Sequence, residues 1–208
     1  MTDARDAAAS AREADPPAGG DAGSTTRERI LEVAGRHFAE HGYRRTSVAA
    51  VARELSLTPP AVYFHFAGKD ELFVAAYDRE AGLLCDAVVG ADAEIAESDL
   101  WDLFMPKIIT NLPRHPLVLR VLRGEEPELV PRLAAGEIPL RLRVAFVVAL
   151  RKGQQQGRVR MDIDREQMAI AMEAILLALL LTATQAGGVG SAERAGPVRA
   201  LLQAALRR

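Results

Sequence analysis

The sequence predicts an all-α protein, and three observations lead there. Hydrophobic residues make up 49% of the 208-residue chain but aromatics only 5%, so the apolar bulk is Ala, Leu and Val. Apolar side chains recur at i, i+3, i+4 and i+7, and no alternating β-branched run is long enough for a strand. Residues that start and stop helices punctuate the chain at helical intervals.

The first 24 residues are Ala-, Gly-, Asp- and Pro-rich, with no large apolar residue after Met1. Such a segment cannot offset the entropy of ordering, and a disordered tail is expected over 1–24. A first helix is expected over about 26–41, with Leu31, Ala34 and Phe38 on one face and Gly42 as its stop. A second starts at Thr46 as N-cap and buries Val48, Val51, Ala52 and Leu55. A third is capped by Thr58 with Pro59 at its first position, where a missing N–H costs nothing. A fourth begins near Gly68, with Asp70 and Glu71 favouring its dipole, and continues to about Val89.

Beyond residue 98 more helices follow. Ser98 caps one through about Leu112, a short one covers 115–123, and a long amphipathic one covers 139–156. Asp164 and Gln167 form a capping box for an apolar helix that ends near Gly187, and a last helix runs to about Leu206. The GEEPELVP and GRVRMDID stretches read as loops. The domains expected are the tail (1–24), a helix-turn-helix head (25–70) and a helical remainder (71–208).

Charge is unevenly placed. Net charge is −2 overall. Residues 1–24 hold two Arg against five acids, whereas residues 25–70 hold six Arg and one Lys against five acids, −3 against +2. The positive charge is concentrated on the head, as a nucleic-acid footprint requires. Cys85 is the single cysteine; it closes no intrachain disulfide, which suits a reducing cytoplasm. The N-terminus has no apolar core, so no secretory leader is expected. Between Gln167 and Glu193 the one charge is Glu173. That run is long enough to span a bilayer, but Glu173 would be stranded there and no basic flank orients it. A helix buried by its own domain and a partner subunit is the better expectation.

Residues 46–66, TSVAAVARELSLTPPAVYFHF, carry the functional signal: two short capped helices joined by a tight turn, the second ending in Tyr63-Phe64-His65-Phe66. A helix in the major groove needs a scaffold helix behind it, an N-terminal end facing base edges and flanking groups on phosphate. Thr58, Pro59, Pro60 and Ala61 form the exposed turn, and Val62 and Phe66 point to the core. Tyr63 and His65 flank the helix as phosphate donors. Lys69 adds charge at the next helix start, Thr46 and Ser47 offer hydroxyls and free N–H groups, and Arg44 and Arg45 extend this edge.

This arrangement resembles the TetR family of transcriptional regulators, over about Thr26 to Phe73. The matching residues are Phe38-Ala39-Glu40-His41-Gly42-Tyr43, Thr46-Ser47-Val48, Val51-Ala52, Pro59, Val62-Tyr63-Phe64-His65-Phe66 and Lys69-Asp70-Glu71-Leu72. The resemblance implies an all-helical homodimer with DNA-binding heads and a C-terminal ligand-binding and dimerising domain. It also implies DNA contacts at Thr46, Ser47, Thr58, Tyr63, His65 and Lys69. Three residues depart from the family pattern. Ser56 stands where a Gly usually makes the turn, and a left-handed turn there would cost Ser roughly 1 kcal/mol. Pro60 and Ala61 replace a small residue and, commonly, a hydroxyl. Base recognition then leans on Thr58, thymine methyl contacts and DNA shape.

The remaining helices are expected to set the spacing of two heads on a palindromic operator. Ile175, Leu179, Thr182, Val198, Leu201, Leu202 and Ala205 are the expected subunit interface. An apolar effector pocket is expected among Trp101, Phe104, Met105, Ile108, Leu119, Leu122, Phe146 and Met172, with His115 and Glu173 as polar anchors; Glu173 could instead pair with an Arg across the dimer. The expected partners are an operator duplex, a small lipophilic effector and a second copy, with no cofactor, metal or membrane. The alternative is an architectural or partner-binding protein that uses the same head without a ligand. An enzyme is not expected. His37-Phe38-Ala39-Glu40-His41 matches the H-x-x-E-H zinc pattern, but the helix ends at once and no third ligand follows.

Overall fold

A computed structural model describes residues 19–89, 104–185 and 191–207; within these, the side chains of 19–24, 89, 104 and 191–195 are outside the description. The described residues hold helices and no strand. α1 (Gly19–Arg45), α2 (Val48–Glu54) and α3 (Pro59–His65) make the head, and α4 (Lys69–Val89) leads out of it. Then follow α5 (Phe104–Asn111), a 3-10 turn (Leu112–Arg114), α6 (Pro116–Leu122), a second 3-10 turn (Pro127–Leu129) and α7 (Val130–Ala134). α8 (Glu137–Gln155), α9 (Arg165–Gln185) and α10 (Ser191–Leu206) complete the chain.

Local chemistry accounts for the ends. α1 runs past the expected stop, but its regular course breaks at Gly42 (φ 79°, ψ 168°), a conformation only glycine adopts freely. A Cβ there would stand 2.7 Å from Arg120 Nη2 and 2.8 Å from Glu126 Oε1. At α9, the Asp164 carboxylate accepts the amides of Glu166 (2.9 Å) and Gln167 (3.3 Å). The GEEPELVP stretch departs from the loop expected there. Its two prolines sit in first turns, where no amide is needed, and Leu129 and Leu133, four residues apart, are both buried.

Two apolar clusters are built from shared helices. The head cluster contains Ile30, Leu31, Ala34 and Phe38 of α1, Val51 and Ala52 of α2, and Val62 and Phe66 of α3. It continues into Leu72, Phe73 and Ala76 of α4, and takes Leu117 and Val121 from α6 together with Leu129 and Leu133. The second cluster contains Ala81, Leu84 and Val88 of α4, Val118 and Leu122 of α6, and the inward faces of α8, α9 and α10. Leu117 and Val121 therefore face one core while Val118 and Leu122 face the other, each pair spaced i, i+4. α6 is a wall between the two, and Tyr77 on α4 packs against both.

α9 is long and apolar enough to cross a membrane by length and composition alone, with a mean hydropathy of 1.8. One face, including Ala169, Met172, Leu176 and Leu180, is buried against the chain's own core. The opposite face, with Ile170, Ala174, Ala178 and Leu181, is exposed. Several interface expectations change accordingly. Leu179 and Leu202 belong to this chain's own core, and Ile175 and Val198 pack partly buried against it. Thr182 is half-buried and gives its hydroxyl to Ala178 O. Ala205 is half-buried, whereas Leu201 is 64% exposed.

Candidate nucleic-acid interface

The helix-turn-helix is built from short-range bonds. Ser47, in extended conformation, is the N-cap of α2 and accepts the Ala50 amide at 3.1 Å. The expected cap, Thr46, is buried. It turns its hydroxyl inward to the carbonyls of His37 (3.0 Å) and Gly42 (2.9 Å), and its amide is bonded to Gly42 O. The carbonyls freed where α1 breaks claim Thr46, so neither its hydroxyl nor its amide is left for a phosphate.

α2 ends in a Schellman arrangement. The Leu57 amide donates to Ala52 O (2.8 Å) and the Ser56 amide to Arg53 O (3.1 Å). This places Ser56 at φ 58°, the only non-glycine residue with positive φ among the described residues. Thr58 holds the N-cap position of α3 without a side-chain cap bond, and Pro59 and Pro60 open the helix where amides have no partner to lose.

The outer face of α3 carries the side chains expected there. Thr58, Pro59 and Pro60 are exposed and Ala61 is half-buried. Tyr63 is 51% exposed, and His65 is half-buried with its ring edge-on to Phe64 at 5.3 Å. Val62 and Phe66 are buried. Phe64 itself is 87% exposed, a residue the sequence reading passed over. Its signal was present: with Val62 and Phe66 inward at i and i+4, the residue midway points away from the core.

The flanking cations are partly engaged within the chain. Lys69 Nζ donates to Arg44 O (3.3 Å) and lies 4.4 Å from the Tyr43 ring centroid. Arg44 pairs with Glu128 at 2.8 Å, and Arg45 donates to His41 O at 3.0 Å. Tyr43 gives its hydroxyl to Asp70; that bond is the main reason its phenol is pushed up to about 12. Arg132 also reaches Asp70, at 2.8 Å. Behind this edge, the buried Glu126 accepts Arg120 Nε (2.6 Å) and the Tyr43 amide (3.1 Å). The base of the head is thus bolted to α6 and the following turn.

The H-x-x-E-H residues serve a different contact. His37 Nε2 lies 2.7 Å from Glu54 of α2, and Arg36 joins the same carboxylate at 2.9 Å. Among the described residues no three His, Cys, Asp or Glu side chains group as metal ligands.

A cavity of about 60 Å³ lies in the second cluster. Its wall is Tyr77, Ala81, Leu84, Cys85 and Val88 of α4, Ile108 of α5, Val118 and Leu122 of α6, Ile138 and Leu142 of α8, and Leu176, Leu177 and Leu180 of α9. Among the described residues, Ile108 and Leu122 are the expected pocket residues that line it. Met105, Phe146 and Met172 are core elsewhere in the cluster, and Leu119 packs on its edge. His115 stands at the N-cap of α6. Glu173 is buried but committed to Arg143 of the same chain, a bond one α8–α9 crossing supplies. Trp101 and the Phe104 side chain lie outside the described residues.

Residues 30–76 match the family described as "Bacterial regulatory proteins, tetR family". The chain is 35% identical over 162 residues to the HTH-type transcriptional repressor AcnR of Corynebacterium glutamicum, spanning 76% of this chain and 82% of that one. Its fold is shared by the fatty acid degradation regulator FadR from Bacillus halodurans, at a TM-score of 0.64 and 16% identity over 92% of this chain and 97% of that one. It is shared also by SmeT, repressor of the Stenotrophomonas maltophilia efflux pump SmeDEF, at a TM-score of 0.62 and 22% identity over 89% of this chain and 92% of that one. The exposed capped α3, the scaffold helix behind it and these likenesses agree: the chain belongs to the TetR family of DNA-binding transcriptional regulators.

Proposed function

We propose that this chain is a cytoplasmic homodimeric repressor that binds a palindromic operator and releases it when a small lipophilic effector enters the cavity beside α4. One observation carries this reading. α4 is a continuous helix of 21 residues that begins at Lys69 on the DNA edge, crosses the head core at Phe73 and forms the cavity wall from Tyr77 to Val88. Whatever displaces the wall moves the head.

In this reading α3 enters the major groove. Tyr63, His65, Ser47 and Lys69 hold phosphates, while Thr58 to Ala61 meet base edges with a single side-chain hydroxyl. The exposed apolar faces of α9 (Ile170, Ala174, Ala178, Leu181) and α10 (Leu201) meet their copies across a two-fold axis. Repression is the regulatory sense of AcnR, the relative named above.

The cavity also favours a second reading, that of a DNA-binding protein with no effector. Its volume is well below the roughly 150 Å³ that an apolar site needs to hold benzene. An effector must therefore widen it. Footprinting on the DNA flanking the chain's own coding region, with and without lipophilic compounds, separates the two. A protected palindrome that clears on addition of compound supports the repressor; one that persists with compound demonstrably bound refutes effector release. Tyr63→Ala should weaken operator binding at least tenfold with stability unchanged within about 0.5 kcal/mol, since an exposed side chain has little packing to lose. Unfolding without a separate DNA defect would count against the assigned face.

A further inference from the structure

The chemistry of the cavity wall restricts what can occupy it. Among the described residues, eleven of the thirteen that line it are aliphatic; Cys85 adds a thiol and Tyr77 the sole hydroxyl. No acidic or basic side chain lines the cavity among the described residues. Asp78, the neighbour of Tyr77 on α4, is not among the lining residues, and other charges on the surrounding helices are paired or bonded. Arg141 reaches Asp86, Arg143 reaches Glu173, and Glu80 accepts the amides of Leu117 (2.8 Å) and Val118 (3.3 Å). A carboxylate or ammonium entering this wall would lose its hydration and find no counter-charge, a cost of several kcal/mol.

Tyr77 differs from the other polar groups nearby. Its side chain is partly buried in the wall, and burial pushes the phenol well above its ordinary range, which keeps it a neutral donor. Among the described residues Tyr77 alone packs against both apolar clusters, so a group bonded to it acts at the seam between effector cavity and DNA-binding head.

We propose that the effector is an uncharged organic molecule with one hydrogen-bond acceptor, and that Tyr77 donates to that acceptor from the cavity wall. The inference rests on the reading of this cavity as the effector site. It narrows "lipophilic" to neutral, excluding fatty carboxylates and amphiphilic amines alike.

Cys85, the chain's single thiol and a wall residue, supplies a direct readout of occupancy. The full chain is treated with iodoacetamide, and Cys85 alkylation is timed in the presence of n-hexane, 2-hexanone, hexanoate or hexylammonium. The ketone should protect Cys85 at concentrations at least tenfold lower than either ion. In Tyr77→Phe its advantage over hexane should fall about fivefold, the worth of one hydrogen bond. Protection by hexanoate or hexylammonium equal to that by the ketone overturns the neutral class. An unchanged ketone preference in Tyr77→Phe overturns the anchor, and protection by none of the probes overturns both. Operator binding is measured separately on the same samples. Ketone protection of Cys85 with no loss of operator affinity leaves the ligand class standing and sinks effector release instead.

Discussion

Gly42 and Gly157 differ sharply in what an added Cβ would cost. Both hold positive φ, 79° and 71°. A Cβ at Gly157 would meet nothing within 4 Å, whereas at Gly42 it would meet Arg120 Nη2 at 2.7 Å and Glu126 Oε1 at 2.8 Å. Gly157→Ala should therefore cost the left-handed strain alone, about 1 kcal/mol. Gly42→Ala costs more, because ψ 168° places Gly42 in a region nearly confined to glycine and because Arg120 or Glu126 must withdraw. Glu126 is 3% exposed and holds both Arg120 and the Tyr43 amide. Breaking a buried pair outright costs about 3–5 kcal/mol. Arg120 keeps Glu125 at 2.8 Å, so only part is lost and the extra cost should be about 2 kcal/mol. For a chain of this size 1 kcal/mol shifts Tm by about 2–4 °C. Thermal unfolding at one fixed protein concentration should then show a loss of about 3 °C for Gly157→Ala and about 9 °C for Gly42→Ala. Equal losses would refute the role given to the Arg120–Glu126 clasp.

Ser56→Gly should stabilise the chain by about 0.5–1 kcal/mol, because relief of the φ 58° strain exceeds the added chain entropy; denaturant titration that finds Ser56→Gly destabilising would place the strain elsewhere. Burial, reinforced by the negative charge of Glu137, pushes the Asp78 carboxyl up to about 6, and its Oδ1 has no hydrogen-bond partner among the described residues. A raised carboxyl binds its proton more tightly when folded, so stability falls as pH rises from about 4 to about 6. A two-unit shift corresponds to about 3 kcal/mol, and screening at this half-exposed site reduces it to about 1. Asp78→Asn should flatten that window and gain about 1 kcal/mol at pH 7 in urea titrations, and a variant with the parent's slope would reject the assignment.

The parts of the fold written in local chemistry were legible. Asp164 caps α9 as its spacing demands, and Ser56 carries the left-handed turn that the family's usual glycine marks. Thr46 and Ser47 show where such chemistry stops deciding. Either hydroxyl can cap α2, and the carbonyls of Gly42 and of His37, nine residues before Thr46, select between them. α9 was harder for a different reason. It is apolar on nearly every side, so periodicity cannot tell the face against α8 from the face left exposed. Its one carboxylate was the available marker, since Glu173 lies on the inward face with Arg143. Of the cavity wall, Ile108 and Leu122 were legible and the rest was not, because large and aromatic residues were favoured as its lining. Those fill space, and the wall that leaves space is aliphatic and half of it comes from α4 and α6.

That shared wall explains how a small void could govern a distant edge. Val118 and Leu122 face the cavity while Leu117 and Val121 of the same short helix are fixed in the head core. Glu80 ties α4 to the first amides of α6, and Glu126 ties the turn after α6 to the base of α1. Packed cores repack between discrete arrangements more readily than they stretch. A molecule too large for 60 Å³ therefore cannot be absorbed by α6 alone without carrying the head core with it. The geometry of α4 sets the scale. Twelve residues separate Ala81 from Lys69, about 18 Å along the helix, so a tilt of about 5° at the cavity moves Lys69 by about 1.6 Å. That displacement exceeds the tolerance of a phosphate hydrogen bond held at about 3 Å. In a dimer each head would move away from its own half-site, so the two losses would act on one operator.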